Sequence, residues 1–158
     1  MRLTQLVTDA AIVPKLQSTQ RDEVIGELID ALIAAGAATA KLRDELVRSV
    51  LERERRGSTG FGRGVAVPHV KHKSVKTMTA AIGVSGKGID FNALDKQPVY
   101  SVFLLLSPED RPEEHLQAME AIFKNLSKDT FRRFLRQAGT ADDIRTLLEE
   151  ADNQLLAG

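Results

Sequence analysis

The sequence predicts an α/β or α+β sandwich in which helices cover both faces of a central sheet. Two helical patterns occupy the first third of the chain, β-like apolar segments the middle, and helical patterns again the last third. At 158 residues, of which 42% are hydrophobic, the chain is long enough to bury one substantial core. We therefore expect residues 1–158 to form a single domain.

The first helical pattern begins near Thr19 and ends near Gly36. Thr19 and Asp22 have the spacing of a capping box, in which side chains satisfy free backbone N–H groups at the start of a helix. The apolar residues that follow recur at helical spacing and predict one buried face. They are Val24, Ile25, Leu28, Ile29, Leu32 and Ile33.

The second helical pattern contains the apolar residues between Leu42 and Leu51. It ends in the charged segment ERERR, which precedes Gly57. This placement puts Arg53 in the last turn of the helix, where the helix dipole favours a basic side chain.

Three segments in the middle of the chain predict strands. VAV at 65–67 and the alternating residues Ala80, Ile82 and Val84 are typical of strands. The run VYSVFLLL at 99–106 is apolar on both faces, as a central strand must be. Between the last two, GKGIDFNALDKQP carries turn residues, and we expect an excursion between strands there.

Three further helical patterns follow Pro112. The last of them begins near Thr140, which has the spacing of a helix cap with Asp143. The apolar residues of the three patterns are Leu116, Met119, Ile122, Phe123 and Leu126, then Phe131, Phe134 and Leu135, and finally Ile144, Leu147 and Leu148.

The composition excludes several classes of function. The absence of cysteine excludes disulfides, thiolate metal sites and thiol nucleophiles. Basic and acidic residues balance at 22 each, which argues against a nucleic-acid binder with a general phosphate-neutralising surface. No stretch approaches the roughly 20 apolar residues of a membrane helix, and the N-terminal segment lacks the apolar core of a secretory signal. We therefore expect a cytoplasmic protein without membrane insertion.

Positive charge is concentrated between Arg53 and Lys76. This segment holds seven basic residues and one acid and so carries a net charge of +6. Such a segment is either a solvated basic loop or an anion site. Lys71 and Lys73 fit a solvated edge that meets acidic partners.

The segment STGFGRGVAVPHVKHK at 58–73 contains alternating glycines at 60, 62 and 64. Glycine permits positive φ or the close approach of another group, so the segment is either a tight structural turn or part of a site. The spacing is similar to that of phosphate-binding loops. Here, however, the glycines follow a helix and lead into a strand, and the lysine of a P-loop is missing, which excludes a nucleotide site.

Pro68 fixes its own φ and holds Val67 extended, so that His69 is presented rigidly at the end of a strand. A neutral imidazole is a competent nucleophile near pH 7, and His69 is therefore suited to accept or bind a phosphoryl group. The alternative is an ordinary turn histidine. His69 and His72 invite a zinc site, but no carboxylate or thiolate follows with ligand spacing. We expect neither a metal nor a cofactor.

A resemblance rests on three blocks of the sequence: STGFGRGVAVPHVK, GIDFNALDKQPVYSVFLLLSPE and EEHLQAMEAI. In this order they resemble the type-2 enzyme IIA domain of the bacterial phosphotransferase system, especially its fructose-type and stand-alone nitrogen-regulatory members. The resemblance covers nearly the whole chain. It implies a mixed central β-sheet of about five strands flanked by helices on both faces.

The resemblance also implies site residues. The phosphorylated histidine of the family falls on His69, its site arginine on Arg53 and a second histidine on His115. Arg53 and backbone amides of the glycine stretch, with Gly62 and Gly64 as candidates, would hold the phosphoryl oxygens. His115 would hydrogen-bond the phosphoryl group or orient His69. The alternatives are an exposed helix-end residue for Arg53 and a partly buried surface residue for His115.

The partners implied by the resemblance are a histidine phosphocarrier protein as donor and an enzyme IIB domain or a regulatory target as acceptor. In sugar transport the acceptor is a IIB domain that carries the phosphoryl group on a cysteine. This chain has no cysteine, so that second step must occur on another protein. Two hypotheses stay open: a phosphoryl carrier for sugar transport, and a regulatory module whose docking depends on the state of His69. Arg63 and Val70 depart from the family, which often has asparagine and glycine at these positions.

Overall fold

The computed structural model describes residues 1–156, which contain six α-helices and five β-strands. The helices are α1 (Leu3–Leu6), α2 (Arg21–Ala34), α3 (Arg43–Arg55), α4 (Pro112–Leu126), α5 (Asp129–Gln137) and α6 (Ala141–Asp152). The strands are β1 (Val7–Val13), β2 (Val65–Ala66), β3 (His69–His72), β4 (Thr79–Ile89) and β5 (Val99–Pro108). None of the helices within residues 1–156 combines the length and the apolar character needed to cross a membrane.

The five strands form one mixed sheet in which β5 is central. The order is β1-β4-β5-β2, and β3 also pairs with β5. β4 and β5 are antiparallel, whereas β1 is parallel to β4, and both β2 and β3 are parallel to β5. Since β2 and β3 pair with successive parts of β5, they make up one edge of the sheet that is interrupted before His69. The mixed five-stranded sheet and the central position of β5 are confirmed.

Two apolar clusters cover the two faces of the sheet. Helices α1, α4, α5 and α6 pack on one face, and α2 and α3 pack on the other. Successive side chains of a strand point to opposite faces, so β5 supplies Phe103 and Leu105 to the first cluster and Leu104 and Leu106 to the second. This double burial explains why β5 is apolar at every position. The expected helical cover on both faces is confirmed.

Two strands of the sheet, β1 and β3, were not predicted from the sequence patterns. β1 lies at the edge of the sheet and pairs with β4. Asp9 and Ala10 at its centre are exposed, so it lacks a regular apolar alternation. β3 has only four residues and exists through its pairing with β5. In addition, β4 continues beyond Val84 through an irregularity to Ile89, which shortens the expected excursion to residues 90–98.

The two predicted helix caps have different outcomes. At α6 the Thr140 side chain accepts a hydrogen bond from the Asp143 backbone N–H at 3.1 Å, so this cap is confirmed. At α2 the predicted capping box is wrong, because the residue before the helix is Gln20 and no side chain caps it. The chain before α2 pairs instead with Asp90, whose backbone N–H donates to the Thr19 carbonyl at 2.8 Å. This long-range pairing holds Thr19 outside the helix start.

Candidate functional site

His69 lies half-buried at the first position of β3. Its Nδ1 is 2.8 Å from the carbonyl oxygen of Val67. A carbonyl oxygen can only accept a hydrogen bond, so in the neutral ring Nδ1 carries the proton and donates it. The lone pair of the neutral imidazole is therefore on Nε2, which is the atom able to act as a nucleophile.

The surroundings of His69 keep its ring neutral. Burial lowers the pKa of His69 below 6.5, and the positive charges of Arg53 and Lys71 lower it further. The Val67 carbonyl and the Glu54 carboxylate act in the opposite direction but do not reverse the shift. At neutral pH the nucleophilic form of this ring is consequently the prevailing one.

His115 lies in the first turn of α4 and faces His69. The two ring centroids are 5.4 Å apart and the ring planes are inclined by 49°. Burial, followed by the charges of His69 and Lys71, lowers the pKa of His115 to about 4. Only 6% of the residue is exposed. His115 is thus a neutral, buried imidazole beside the candidate nucleophile.

Ser107 of β5 forms a hydrogen bond with the His115 ring. Its Oγ is 2.7 Å from Nδ1 of His115, and the residue is fully buried. The sequence patterns do not single out this serine, because the contact depends on α4 folding back across the end of β5. The available signal was a hydrogen-bonding residue directly after the apolar run at 99–106.

Arg53 lies in the last turn of α3, as predicted from the sequence. Its Nη1 donates to the Gly57 carbonyl oxygen at 2.9 Å, which ties the side chain to the loop that follows the helix. Its charge is one of the causes of the lowered pKa of His69, which means that the guanidinium acts on that ring. Arg55 and Arg56 are exposed. His69 and His115 therefore lie side by side, and the charge of Arg53 acts on the His69 ring.

The glycine loop, residues 57–64, is anchored by a buried acid that the sequence analysis did not identify. Glu54 is 2% exposed and accepts two hydrogen bonds from Thr59, from its backbone N–H at 2.9 Å and from its hydroxyl at 2.6 Å. A buried carboxylate needs such partners. Glu54 thereby fixes the path of the loop relative to α3 and to Arg53 beside it.

Gly62 and Gly64 have the left-handed φ values that favour glycine, +123° and +77°. The Gly64 carbonyl oxygen accepts hydrogen bonds from the backbone N–H groups of Tyr100 and Ser101 at 2.8 and 3.1 Å. These features account for both glycines as turn residues of the loop. A role of their amides in holding a phosphoryl group stays a prediction.

His72 does not share the environment of His69. Residues three apart on a strand point to opposite faces of the sheet. Nδ1 of His72 accepts a hydrogen bond from the Ser74 backbone N–H at 3.0 Å, and Nε2 lies 3.6 Å from a carboxylate oxygen of Glu45. Within residues 1–156 no three ligating side chains lie close enough together to hold a metal ion.

The chain is similar to proteins of one family over nearly its whole length. Residues 5–151 match the family model described as "Phosphoenolpyruvate-dependent sugar phosphotransferase system, EIIA 2". A fructose-specific EIIABC component of Bacillus subtilis is 33% identical over 96% of this chain, which spans 24% of that relative. A nitrogen regulatory protein of Bradyrhizobium diazoefficiens is 34% identical, and the match covers 94% of this chain and 95% of the relative.

Solved structures share the fold. Nitrogen regulatory protein IIA-Ntr from Neisseria meningitidis superposes with a TM-score of 0.84 at 27% identity, covering 92% of this chain and 98% of that one. Escherichia coli enzyme IIA for mannitol, solved in complex with phosphorylated enzyme IIB for mannitol, has a TM-score of 0.72 at 18% identity, with 89% of this chain and 94% of that one covered.

Proposed function

This chain belongs to the EIIA 2 family of the phosphoenolpyruvate-dependent phosphotransferase system, and we propose that it carries its phosphoryl group on Nε2 of His69. As a member of this family it is a phosphotransferase component that acts as a phosphoryl carrier or a regulator. The observation that supports His69 most strongly is its hydrogen bond to Val67, which occupies Nδ1 and leaves Nε2 as the nucleophilic nitrogen.

The proposed reaction is an in-line transfer between two nitrogen atoms. The Nε2 lone pair of His69 forms a bond to phosphorus while the bond from phosphorus to the donor's histidine breaks, and the donor nitrogen keeps that electron pair. The transition state is loose and places negative charge on the three equatorial oxygens. In the second step an acceptor nucleophile attacks the phosphoryl group and His69 leaves as neutral imidazole.

Arg53 is the residue we assign to the phosphoryl oxygens. Its guanidinium has a planar fork of donors that matches two oxygens at once. Preorganised positive charge stabilises a transition state in which charge spreads over oxygen, because little reorganisation is needed when the charge develops. Lys71 adds a second positive charge that acts on His69.

His115 is assigned the role of a neutral hydrogen-bond donor to the phosphoryl group. If the Ser107 hydroxyl donates to Nδ1 of His115, the proton of the imidazole must be on Nε2. Nε2–H can then donate to a phosphoryl oxygen bound to His69. In this arrangement Ser107 is a positioning residue, since it acts on the reaction through the tautomer and orientation of His115.

We propose a histidine phosphocarrier protein as the donor and an enzyme IIB domain or a regulatory target as the recipient. The fructose-specific relative supports a transport partner, because its name joins the A component to B and C components. The nitrogen regulatory relative supports the regulatory role, because that protein matches this chain over 95% of its own length. We place this activity in the cytoplasm, where phosphoenolpyruvate is formed.

Incubation with phosphoenolpyruvate, enzyme I and the histidine phosphocarrier protein, followed by intact mass measurement, tests the site. We expect one acid-labile phosphoryl group on the wild type and on His72→Ala, and none on His69→Ala. His72 is the matched control, because it lies on the same strand but on the other face. A phosphoryl group retained by a folded His69→Ala variant would overturn the assignment.

An experiment with the phosphorylated protein distinguishes a transport carrier from a regulator. Rapid loss of the label to a fructose-type IIB domain, with the label appearing on the cysteine of that domain, is the result expected of a transport carrier. Retention of the label in the presence of the IIB domain favours the regulatory role.

A further inference from the structure

A pocket lined by arginines lies between the glycine loop and α5. Its volume is about 460 Å³, and it is lined by Arg63, Asp129, Arg132, Arg133, Arg136 and Gln137. These side chains carry a net charge of +3. None of the residues assigned to phosphoryl transfer lines this pocket. We propose that this arginine pocket is a separate binding site for a small molecule that bears phosphate groups, an inference that goes beyond the proposed function.

Arg63 adopts a backbone conformation that its residue type disfavours. Its φ is +61°, between Gly62 and Gly64, which also have positive φ. A non-glycine residue in this region costs about 1 kcal/mol, and glycine or asparagine would fit the turn better. Residues held in such conformations cluster at functional sites, which makes Arg63 a candidate for a functional side chain.

Arg136 is held in place by an aromatic platform. Its guanidinium carbon lies 3.6 Å from the centre of the Tyr100 ring. The ring in turn packs against Gly64 and Gly88, where an added Cβ would lie 3.3 and 3.2 Å from ring atoms. Stacking fixes the plane of the guanidinium and leaves the N–H groups at its edge able to donate to a ligand.

The pocket has positive charge that the described residues do not neutralise. Arg132 donates to the Leu126 carbonyl oxygen at 2.7 Å and contacts Asp129 at 3.3 Å, so the one acid of the lining is already paired. Within residues 1–156, Arg63, Arg133 and Arg136 have no ion pair and no side-chain hydrogen bond. Three guanidinium groups around one cavity fit a ligand with more than one phosphate-type charge.

The size of the site fits a small molecule that bears phosphate groups. The volume falls within the range of about 300–1,000 Å³ that is usual for small-molecule pockets. The stacking of Arg136 on Tyr100 also holds its donors in place before a ligand arrives, which reduces the entropy lost on binding.

Titration calorimetry with inorganic pyrophosphate as the probe tests this site on the full chain. We expect binding to the wild type and binding at least about tenfold weaker in the double variant Arg63→Gln/Arg136→Gln, because two charge-assisted contacts are lost. Arg48→Gln/Arg56→Gln removes the same charge from exposed positions outside the pocket and should change affinity less than about twofold. His69→Ala should bind pyrophosphate like the wild type, whatever its phosphorylation result.

Four outcomes would overturn the proposal. They are an absence of binding to the wild type, an equal loss in both double variants, a loss confined to Arg53→Gln, and tighter binding of a hexaglutamate peptide than of pyrophosphate. The third would place the anion at the phosphoryl-transfer site, and the fourth would identify a surface for acidic protein segments. Arg63→Gly provides a variant that suits the left-handed turn, so weaker binding there reports the lost side chain and not a misfolded loop.

Discussion

His69 and His72 are three residues apart on β3, and both are half-buried, yet their surroundings differ. His69 meets the imidazole of His115 from α4 and the charges of Lys71 and of Arg53 at the end of α3, and its pKa is lowered. On the α3 side, His72 accepts a hydrogen bond from Ser74 and lies near the carboxylate of Glu45. The residue type alone therefore does not define a site. The strand alternation and the charges packed against each face do so.

The largest expected effect concerns the positive charge of Arg53, which acts on His69. Arg53→Ala should slow phosphoryl transfer about 100- to 1000-fold, because one preorganised donor to the developing charge is lost. The fold should persist, since the side chain is only partly buried at the end of α3. Rapid-quench measurement of transfer from the phosphorylated phosphocarrier gives the rate. Arg56→Ala is the control, and equal rates for the two variants would remove Arg53 from the site.

The second expected effect is a pH dependence of stability that arises from the buried ring of His115. In the unfolded chain the His115 ring binds a proton below about pH 6.5, whereas in the folded protein it binds one only below about pH 4. Between these values the unfolded state holds more protons, so the free energy of unfolding falls as the pH is lowered from about 6.5 to about 4, by about 3 kcal/mol in total.

Urea unfolding at pH 7 and pH 4.5 measures this difference. The loss between the two pH values should be smaller in His115→Gln than in the wild type, while carboxylate titration affects both alike. The same pH dependence in wild type and His115→Gln would contradict the buried, neutral state of this ring.

The smallest expected effect concerns Ser107. Ser107→Ala should slow transfer about tenfold, because His115 loses the hydrogen bond that selects its Nε2–H tautomer. The pH profile of transfer should shift as well, which a purely structural role of the serine would not produce. Ser101→Ala is a matched control, since Ser101 is also buried on β5 and points to the same face. A similar rate and pH profile for both variants would exclude the positioning role.

A double variant sharpens this result. If Ser107 acts through His115, Ser107→Ala should have little further effect in a His115→Ala background, because residues of one network are not additive. An independent tenfold loss in that background would mean that the serine acts elsewhere.

Much of the fold follows from local patterns in the chain. The helical periodicity of α2 and α3 identifies these helices, because a helix buried on one face has apolar residues at helical spacing. The continuous apolar run identifies β5, because both of its faces are buried. The Thr140 cap was predictable for a related reason, since its bond to Asp143 spans only three residues. His69 was a candidate because of its proline neighbour, and Arg53 and His115 were candidates because of the resemblance to a family that the chain does belong to.

The sequence by itself thus determined the five long helices, the central strand and the family. Only the tertiary structure decided that Thr19 would pair with Asp90 instead of capping α2, that β1 would form an edge, and that Ser107 would reach His115. It also decided that Tyr100 would hold Arg136 beside Arg63. The physical reason is the range of the interactions: periodicity and capping act within a few residues, whereas burial, hydrogen bonding and charge act on groups that only folding brings together.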